Sequence, residues 1–354
     1  WRSNYSRISR GHSRDLALFV MTHKELSYDE TIELLNQLAG QSLSLWNVPS
    51  DSKARLINVS ENATYLVEAP DGFKSILRIH RENYHTRHAI GWEHAWSRAL
   101  NEEGGVITPG ILPGRDGSTI QTKSIEGLPS ERHLVMFEFV EGEEPDQEGD
   151  LAPSFEELGE IAARTHNHSI SWTRPDNFER FFWDLDAVFG PNATWHDWRD
   201  APNVTDSIKA VLEETEAVVT DRLQKYGTSV ERFGLIHADM RLANLLINEG
   251  TTRLIDFDDC GLGWFMYDFA AGISFIEDDP QVPALKEAWV NGYRKVRQLS
   301  DGDEKEIDTF IMLRRLALLA WIGSHIEVDT AKELAPAFAP VTRDLAEKFL
   351  ADMG

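Results

Sequence analysis

The stretch FGLIHADMRLANLLINEGTTRLIDFDD, residues 233–259, decides the fold. It opens on a short apolar strand and passes through a loop that carries Asp239 and Asn244. It then continues into a strand–turn–strand hairpin that leads to Asp256. Because a hairpin folds the chain back on itself, we expect the polar residues on its two sides to lie close together. Two carboxylates and an amide would then share one small region.

This set of side chains suits the transfer of a phosphoryl group, which needs positioning and charge neutralisation more than covalent chemistry. Asp239 is placed to orient an acceptor hydroxyl and to take its proton. Asn244 and Asp256 supply the oxygen ligands that Mg²⁺ prefers. We expect His237 to brace the loop through hydrogen bonds, and we include Arg241 of the same loop among the catalytic residues.

The pattern HxDxxxxN, followed by an apolar strand and IDxxD, resembles the aminoglycoside phosphotransferase and choline kinase family. The stretch IDFDDCGLGWFMYDFA, residues 255–270, is similar to homoserine-kinase-like and stress-response-kinase-like members. The resemblance extends from about residue 40 to about residue 330. It implies an α+β, two-lobed protein-kinase-like fold, with an antiparallel sheet and helices in the N-lobe and a mainly helical C-lobe. It also implies ATP and Mg²⁺ as cofactors. As acceptor it implies the hydroxyl of a small molecule: an amino alcohol or a homoserine-like, aminoglycoside or choline-like compound.

The order of elements along the chain agrees with two lobes. Apolar periodicity and turn residues predict a helix at 27–40, strands at 55–60, 63–70, 73–80, 119–123 and 133–140, and helices at 88–103, 154–168, 205–226, 283–298, 304–326 and 337–350. The acidic, turn-rich stretch 141–150 separates the strands from the later helices. We therefore expect an N-lobe over residues 22–140, a hinge over 141–150 and a C-lobe over 151–354. Residues 1–21 are interpreted as an N-terminal extension or tail.

The resemblance also implies a nucleotide site in the N-lobe. Arg78 stands where the family has a lysine that contacts the ATP phosphates, and Glu93 is the helix residue that would orient it. Arginine can clamp phosphates, although its planar fork differs from an ammonium group. Ser60 and Asn62 lie in the loop over the phosphates, which here contains no glycine.

Further positions follow from the same resemblance. Glu138 and Val140 mark the segment whose backbone would bind the adenine edge. Asp258 is the second carboxylate after the hairpin and is a candidate metal ligand, whereas Asp268 would brace the catalytic loop. We expect His166 to pack near that loop and the other candidate histidines, including His85 and His94, to lie at the surface.

Three alternatives remain open at this point. The sequence DFDDC that begins at Asp256 resembles the nucleophile motif of haloacid-dehalogenase-like phosphatases, although Cys260 replaces the usual Thr or Val. The missing glycine loop and Arg78 are also compatible with a nucleotide-binding pseudokinase. A kinase that acts on protein Ser or Thr side chains shares the same loop chemistry.

Composition narrows the partners. The chain has 354 residues, and 59 acidic against 35 basic residues give a net charge of −24. Such acidity repels polyphosphate and anionic lipid, so we expect neither nucleic acid nor a membrane as partner. Eleven Trp and many interleaved acidic residues are compatible with a cationic acceptor, although we expect at least half of the Trp to lie in the core. The single cysteine predicts a cytoplasmic protein.

Overall fold

The computed structural model describes residues 26–59, 62–146 and 149–353. The predicted N-terminal extension and Ser60 therefore lie outside the described residues. Within the described ranges the protein has an antiparallel sheet toward the N-terminus and a mainly helical part that follows it. The predicted α+β class is confirmed.

A six-stranded antiparallel sheet forms the first part. Its strands are β1 (Lys53–Val59), β2 (Ala63–Glu68), β3 (Lys74–Ile79), β4 (Ile111–Leu112), β5 (Gln121–Lys123) and β6 (Arg132–Glu138). They lie in the order β1–β2–β3–β6–β4, and β5 also pairs with β6. The turn between β2 and β3 contains Gly72 at φ 94°, a left-handed conformation that glycine adopts without strain.

Two helices cover the opposite faces of this sheet. Leu134 and Met136 of β6 share a core with Leu38 of α1 (Tyr28–Ser42), whereas Val135 packs with Ile90 of α2 (Arg87–Ala99). Since alternate residues of a strand point to opposite faces, the two helices lie on opposite sides. We call the sheet with α1 and α2 the sheet lobe.

The helical lobe begins with α3. Its helices are α3 (Ala152–Ser171), α4 (Leu185–Phe189), α5 (Asp206–Tyr226), α6 (Tyr267–Gly272), α7 (Val282–Val296), α8 (Asp301–Ser324) and α9 (Asp329–Met353). A small sheet places β11 (Gly261–Trp264) between β7 (Phe181–Trp183) and β8 (Phe233–Ile236). Beside it, β9 (Leu245–Asn248) and β10 (Thr251–Leu254) form the predicted hairpin.

The apolar side chains of the helical lobe form one continuous core. Six of its tryptophans are buried: Trp183, Trp195, Trp198, Trp264, Trp289 and Trp321. This confirms that most Trp residues serve the core. Across the described ranges, the apolar runs within the helices are all too short or too interrupted to cross a membrane.

Helices α3 and α7 cross in close contact because glycines stand at the crossing. A Cβ atom added at Gly292 of α7 would overlap the carbonyl oxygen of Glu156 in α3, and one at Gly159 would overlap that of Trp289. The two backbones can approach only where the side chain is a single hydrogen.

This crossing predicts a large response to one methyl group. We expect Gly292→Ala to lower the free energy of unfolding by about 1–3 kcal/mol, the usual cost of overpacking a dense core. Gly302→Ala is the control, because a Cβ there meets only the Ser300 hydroxyl at 3.7 Å. Urea unfolding curves compare the two variants. Equal midpoints for Gly292→Ala and the wild type would contradict the close crossing.

The element boundaries differ from the predictions at several places. Helix α1 starts close to the predicted residue 27, where Ser27 and Glu30 form a capping box, but α3 does not start at the predicted residue 154. That helix starts at Ala152 with a proline in its first turn, a position that proline favours. Helix α9 begins at Asp329, earlier than the predicted residue 337, and continues through Pro336, where the sequence pattern places a break.

The start of α2 is tied to the helical lobe. The ring nitrogens of His88 and Trp92 lie 3.0 and 3.1 Å from the carbonyl oxygen of Asn177. The Arg180 guanidinium donates to the carbonyl of Ala89 at 3.2 Å. The helix that carries Glu93 therefore packs on the sheet and is also held by residues outside the sheet lobe.

Candidate active site

A buried carboxylate, that of Asp268, holds the loop that follows β8. Asp268 accepts hydrogen bonds from the backbone N–H groups of His237 and Ala238, at 3.2 and 2.7 Å. Its Oδ2 also lies 3.0 Å from the ring of His166. The His237 ring lies 3.0 Å from the carbonyl oxygen of Ile255, which joins the loop to the end of the hairpin. The bracing contacts expected of His237 and Asp268 are present.

Four donors surround the carboxylate of Asp239. Arg241 donates to Oδ1 at 3.0 Å and to Oδ2 at 3.1 Å, and the amide of Asn244 donates to Oδ2 at 2.9 Å. Arg314 of α8 donates to Oδ1 at 3.3 Å. Burial raises the pKa of Asp239, but Arg241 and Arg314 outweigh it, so the pKa lies below its ordinary value. Asp239 is therefore an ionised group at neutral pH.

The hairpin brings Asn244 and Asp256 to the same side of the loop, as predicted. The backbone N–H of Ile255 donates to the carbonyl of Asn244 at 2.9 Å. The amide nitrogen of Asn244 is committed to Asp239, which leaves its oxygen for a ligand. The Asp256 side chain is 49% exposed and therefore accessible.

These donors fit a magnesium ion that also binds phosphate. Among the described residues, no group of three His, Cys, Asp or Glu side chains converges on one point as a complete metal site. Mg²⁺ usually takes one or two carboxylates from the protein and the remaining ligands from substrate phosphates and water. The oxygens of Asn244 and Asp256 match that requirement.

Arg78 bridges the two lobes. Its guanidinium lies 2.7 Å from Glu93, 2.7 Å from Asp256 and 3.5 Å from Asp258. Burial lowers the pKa of Arg78, but these carboxylates raise it above its ordinary value. The pair expected between Arg78 and Glu93 is formed, and the contact with Asp256 adds a link to the candidate metal site.

Asp258 occupies a different environment from Asp256. It is 6% exposed, and its carboxylate lies 3.6 Å from the ring nitrogens of both His80 and His85. Its role as a metal ligand stays a prediction, and the geometry favours a role in holding Arg78. The expectation of a surface location is wrong for two histidines. His85 packs between the two lobes, and His94 of α2 is 3% exposed.

Asn62, Glu138 and Val140 are described residues among those predicted to contact the nucleotide. The Asn62 side-chain oxygen accepts a hydrogen bond from the backbone of Arg81 at 3.1 Å, so that atom already has a partner. The N–H of Glu138 donates to the carbonyl of Gly110 at 2.8 Å, which leaves only its carbonyl for an adenine. Val140 is partly exposed just after β6. These residues stay predictions for nucleotide contacts.

The acidic residues that suggested a pocket for a cationic acceptor make other contacts in the structure. Asp184 and Asp197 cap helical turns through backbone N–H groups, and Glu327 lies 3.9 Å from Arg81 at the surface. Since the neighbouring Trp side chains are in the core, the pattern of Trp and acidic residues does not form one binding pocket among the described residues.

Two buried arginines of the site escaped the sequence analysis. Arg314 reaches Asp239 from α8, and Arg180 donates to the backbone carbonyls of Cys260 and Asp258 in the loop after the hairpin. Neither lies within a recognisable motif. The available signal was the pair Arg314 and Arg315 in the otherwise apolar second half of α8, because charges in an apolar stretch need buried partners.

Comparisons with known proteins agree with this geometry. The model of the phosphotransferase enzyme family matches residues 53–299. The solved structure of a microcompartment-associated aminopropanol kinase is 43% identical, with a TM-score of 0.83, and the match covers 90% of this chain and 98% of that one. Amicoumacin kinase of Bacillus subtilis is 24% identical over 80% of this chain and 84% of its own length. A choline kinase structure from Cryptosporidium parvum, 14% identical with a TM-score of 0.59 over 91% of this chain and 97% of that one, shares the fold.

Proposed function

Since the chain belongs to the phosphotransferase enzyme family and is a small-molecule kinase, we propose that it moves the γ-phosphate of ATP to the hydroxyl of a small amino alcohol. The observation that carries the proposal is the assembly of Asp239 with Asn244 and Asp256 at the lobe junction. The 43% identical aminopropanol kinase supports an amino alcohol over the choline-like, homoserine-like and aminoglycoside acceptors.

Each residue of the site has one task in this reaction. Asp239 orients the acceptor hydroxyl and takes its proton. Arg78, held by Glu93, contacts the phosphates of ATP. Asn244 and Asp256 hold Mg²⁺, which when bound neutralises charge on the phosphates. The division into a nucleotide-binding lobe (22–140), hinge (141–150) and catalytic lobe (151–354) belongs to the same proposal, as does a cytoplasmic location.

The competing functions have less support. A haloacid-dehalogenase-like phosphatase would need a doubly wound domain after Asp256, whereas among the described residues only the short strand β11 follows it. A pseudokinase is disfavoured because Arg78 and Glu93 are paired despite the missing lysine. Transfer to protein Ser or Thr side chains is an outcome of the acceptor test below.

An acceptor screen tests the proposal. We expect 1-amino-2-propanol and ethanolamine to give kcat/KM values about 10- to 200-fold above those for choline, homoserine, an aminoglycoside and casein, since a change of one group in a pocket has this effect. ADP release measured with and without each acceptor reports turnover. We expect EDTA to abolish it and added Mg²⁺ to restore it. Equal ADP release with and without every amino alcohol would refute the proposed acceptor class.

A further inference from the structure

Arg314 is a buried guanidinium whose three nitrogens all have partners. It lies on α8, 75 positions from Asp239, and is 3% exposed. Besides Asp239, it donates to the hydroxyl of Ser274 at 3.1 Å and to that of Tyr267 at 3.4 Å. The ring of Trp195 lies 5.2 Å from the centre of the guanidinium and closes one side of it. These contacts hold Arg314 in one place.

Arg241 contacts the same carboxylate but is held less firmly. Its side chain is 34% exposed, and its side-chain hydrogen bonds among the described residues go to Asp239. A carboxylate offers about four lone-pair sites. Since Arg241, Arg314 and Asn244 make four hydrogen bonds to Asp239, an acceptor hydroxyl must replace one of them.

Arg241, which is partly exposed, is the donor that can leave. We propose that Arg314 is a positioning residue for phosphoryl transfer, which holds Oδ1 of Asp239 in place while Arg241 gives way to the acceptor hydroxyl. This inference rests on the proposed function, because it takes Asp239 as the group that orients the acceptor. Because Arg314 is 3% exposed and each of its nitrogens already has a protein partner, it acts through Asp239.

The neighbouring residue provides a matched control. Arg315 lies on the same helix, is 2% exposed, and pairs with Glu277 at 2.5 Å and with Thr342 at 2.8 Å. Its partners lie away from Asp239. Arg314→Met and Arg315→Met therefore both remove a buried guanidinium from α8, but only the first removes a contact with Asp239.

We expect Arg314→Met to lower kcat about 10- to 100-fold with little change in KM for ATP, because loss of an orienting contact has this effect on a site. Arg315→Met should lower the melting temperature and leave kcat within about twofold of wild type, because its side chain pairs with Glu277 and Thr342 and not with Asp239. Ser274→Ala and Tyr267→Phe each remove one contact that holds Arg314, and each should lower kcat by less than Arg314→Met does. Steady-state kinetics at a temperature where all variants are folded measures these effects.

A purely structural role would give a different result. If Arg314→Met loses thermal stability but keeps its kcat, as expected for Arg315→Met, the inference is overturned. If wild type phosphorylates none of the acceptors, the proposed function fails, and Arg314 is tested by the release of phosphate to water. If that rate is also undetectable, crystal structures of the two variants decide. The inference is overturned if the Asp239 carboxylate stays in place in Arg314→Met. It is supported if the carboxylate moves in Arg314→Met but not in Arg315→Met.

Discussion

Asp239→Asn should reduce kcat for phosphoryl transfer by about 10²- to 10⁴-fold, the range that a general base contributes. The amide keeps the size of the carboxylate but cannot take the proton of the acceptor hydroxyl. It also presents an NH₂ group toward arginines that now donate to an ionised oxygen. Nucleotide affinity should stay close to wild type, because Asn244 and Asp256 remain in place.

Two measurements separate catalysis from folding in this variant. ADP release in the presence of the best acceptor gives kcat, and calorimetry with a non-hydrolysable ATP analogue gives the nucleotide affinity. Asp308→Asn is the control, since Asp308 lies on α8 and pairs with Lys286 at 2.8 Å. A variant that binds nucleotide and retains a third or more of the wild-type kcat would show that Asp239 is not the base.

Arg78→Met should destabilise the fold and weaken nucleotide binding together. Burial raises the pKa of Glu93, but Arg78 more than offsets this effect, so Glu93 is ionised in the folded protein. Removal of Arg78 leaves that carboxylate buried without its partner, and a broken buried pair typically costs about 3–5 kcal/mol. The loss of a cation beside Asp256 should also raise KM for ATP.

A second substitution distinguishes the two effects. In the double variant Arg78→Met, Glu93→Gln, no unpaired charge remains at the pair, so much of the stability should return while KM for ATP stays high. Compared with Arg78→Met, Arg78→Lys should restore only part of the stability and of the ATP binding, although it keeps the positive charge. One ammonium group cannot bond as a fork to both Glu93 and Asp256. Unfolding curves and ATP kinetics report the two quantities. Full recovery of KM in the double variant would exclude a role for Arg78 at the phosphates.

Much of this architecture could be predicted because its signals are local. The hairpin at residues 245–254 and the sheet at 53–79 have turn residues and strand periodicity in short windows, and the Arg78–Glu93 pair is implied by the family resemblance. The short strands β7 and β11 have three and four residues, too few for a recognisable period. They form because β11 pairs with β7 on one side and with β8 on the other.

The missed parts of the site depend on contacts between distant segments. Arg180 binds backbone carbonyls, which leave no trace in the identity of the partner residues. Arg314 meets Asp239 only after α8 has packed beside α6. The prediction for Asp258 depends on such contacts as well. Two carboxylates so close in sequence suggest one shared ligand, but the side chains of Asp256 and Asp258 enter different environments, one exposed and one buried.

The anchoring of α2 to Asn177 and Arg180 has a consequence for the timing of assembly. The entropy cost of bringing Glu93 to Arg78 falls on folding, when the two lobes join, and not on each catalytic cycle. An enzyme built in this way meets its substrates with the ion pair already made and needs no separate activation step for that helix.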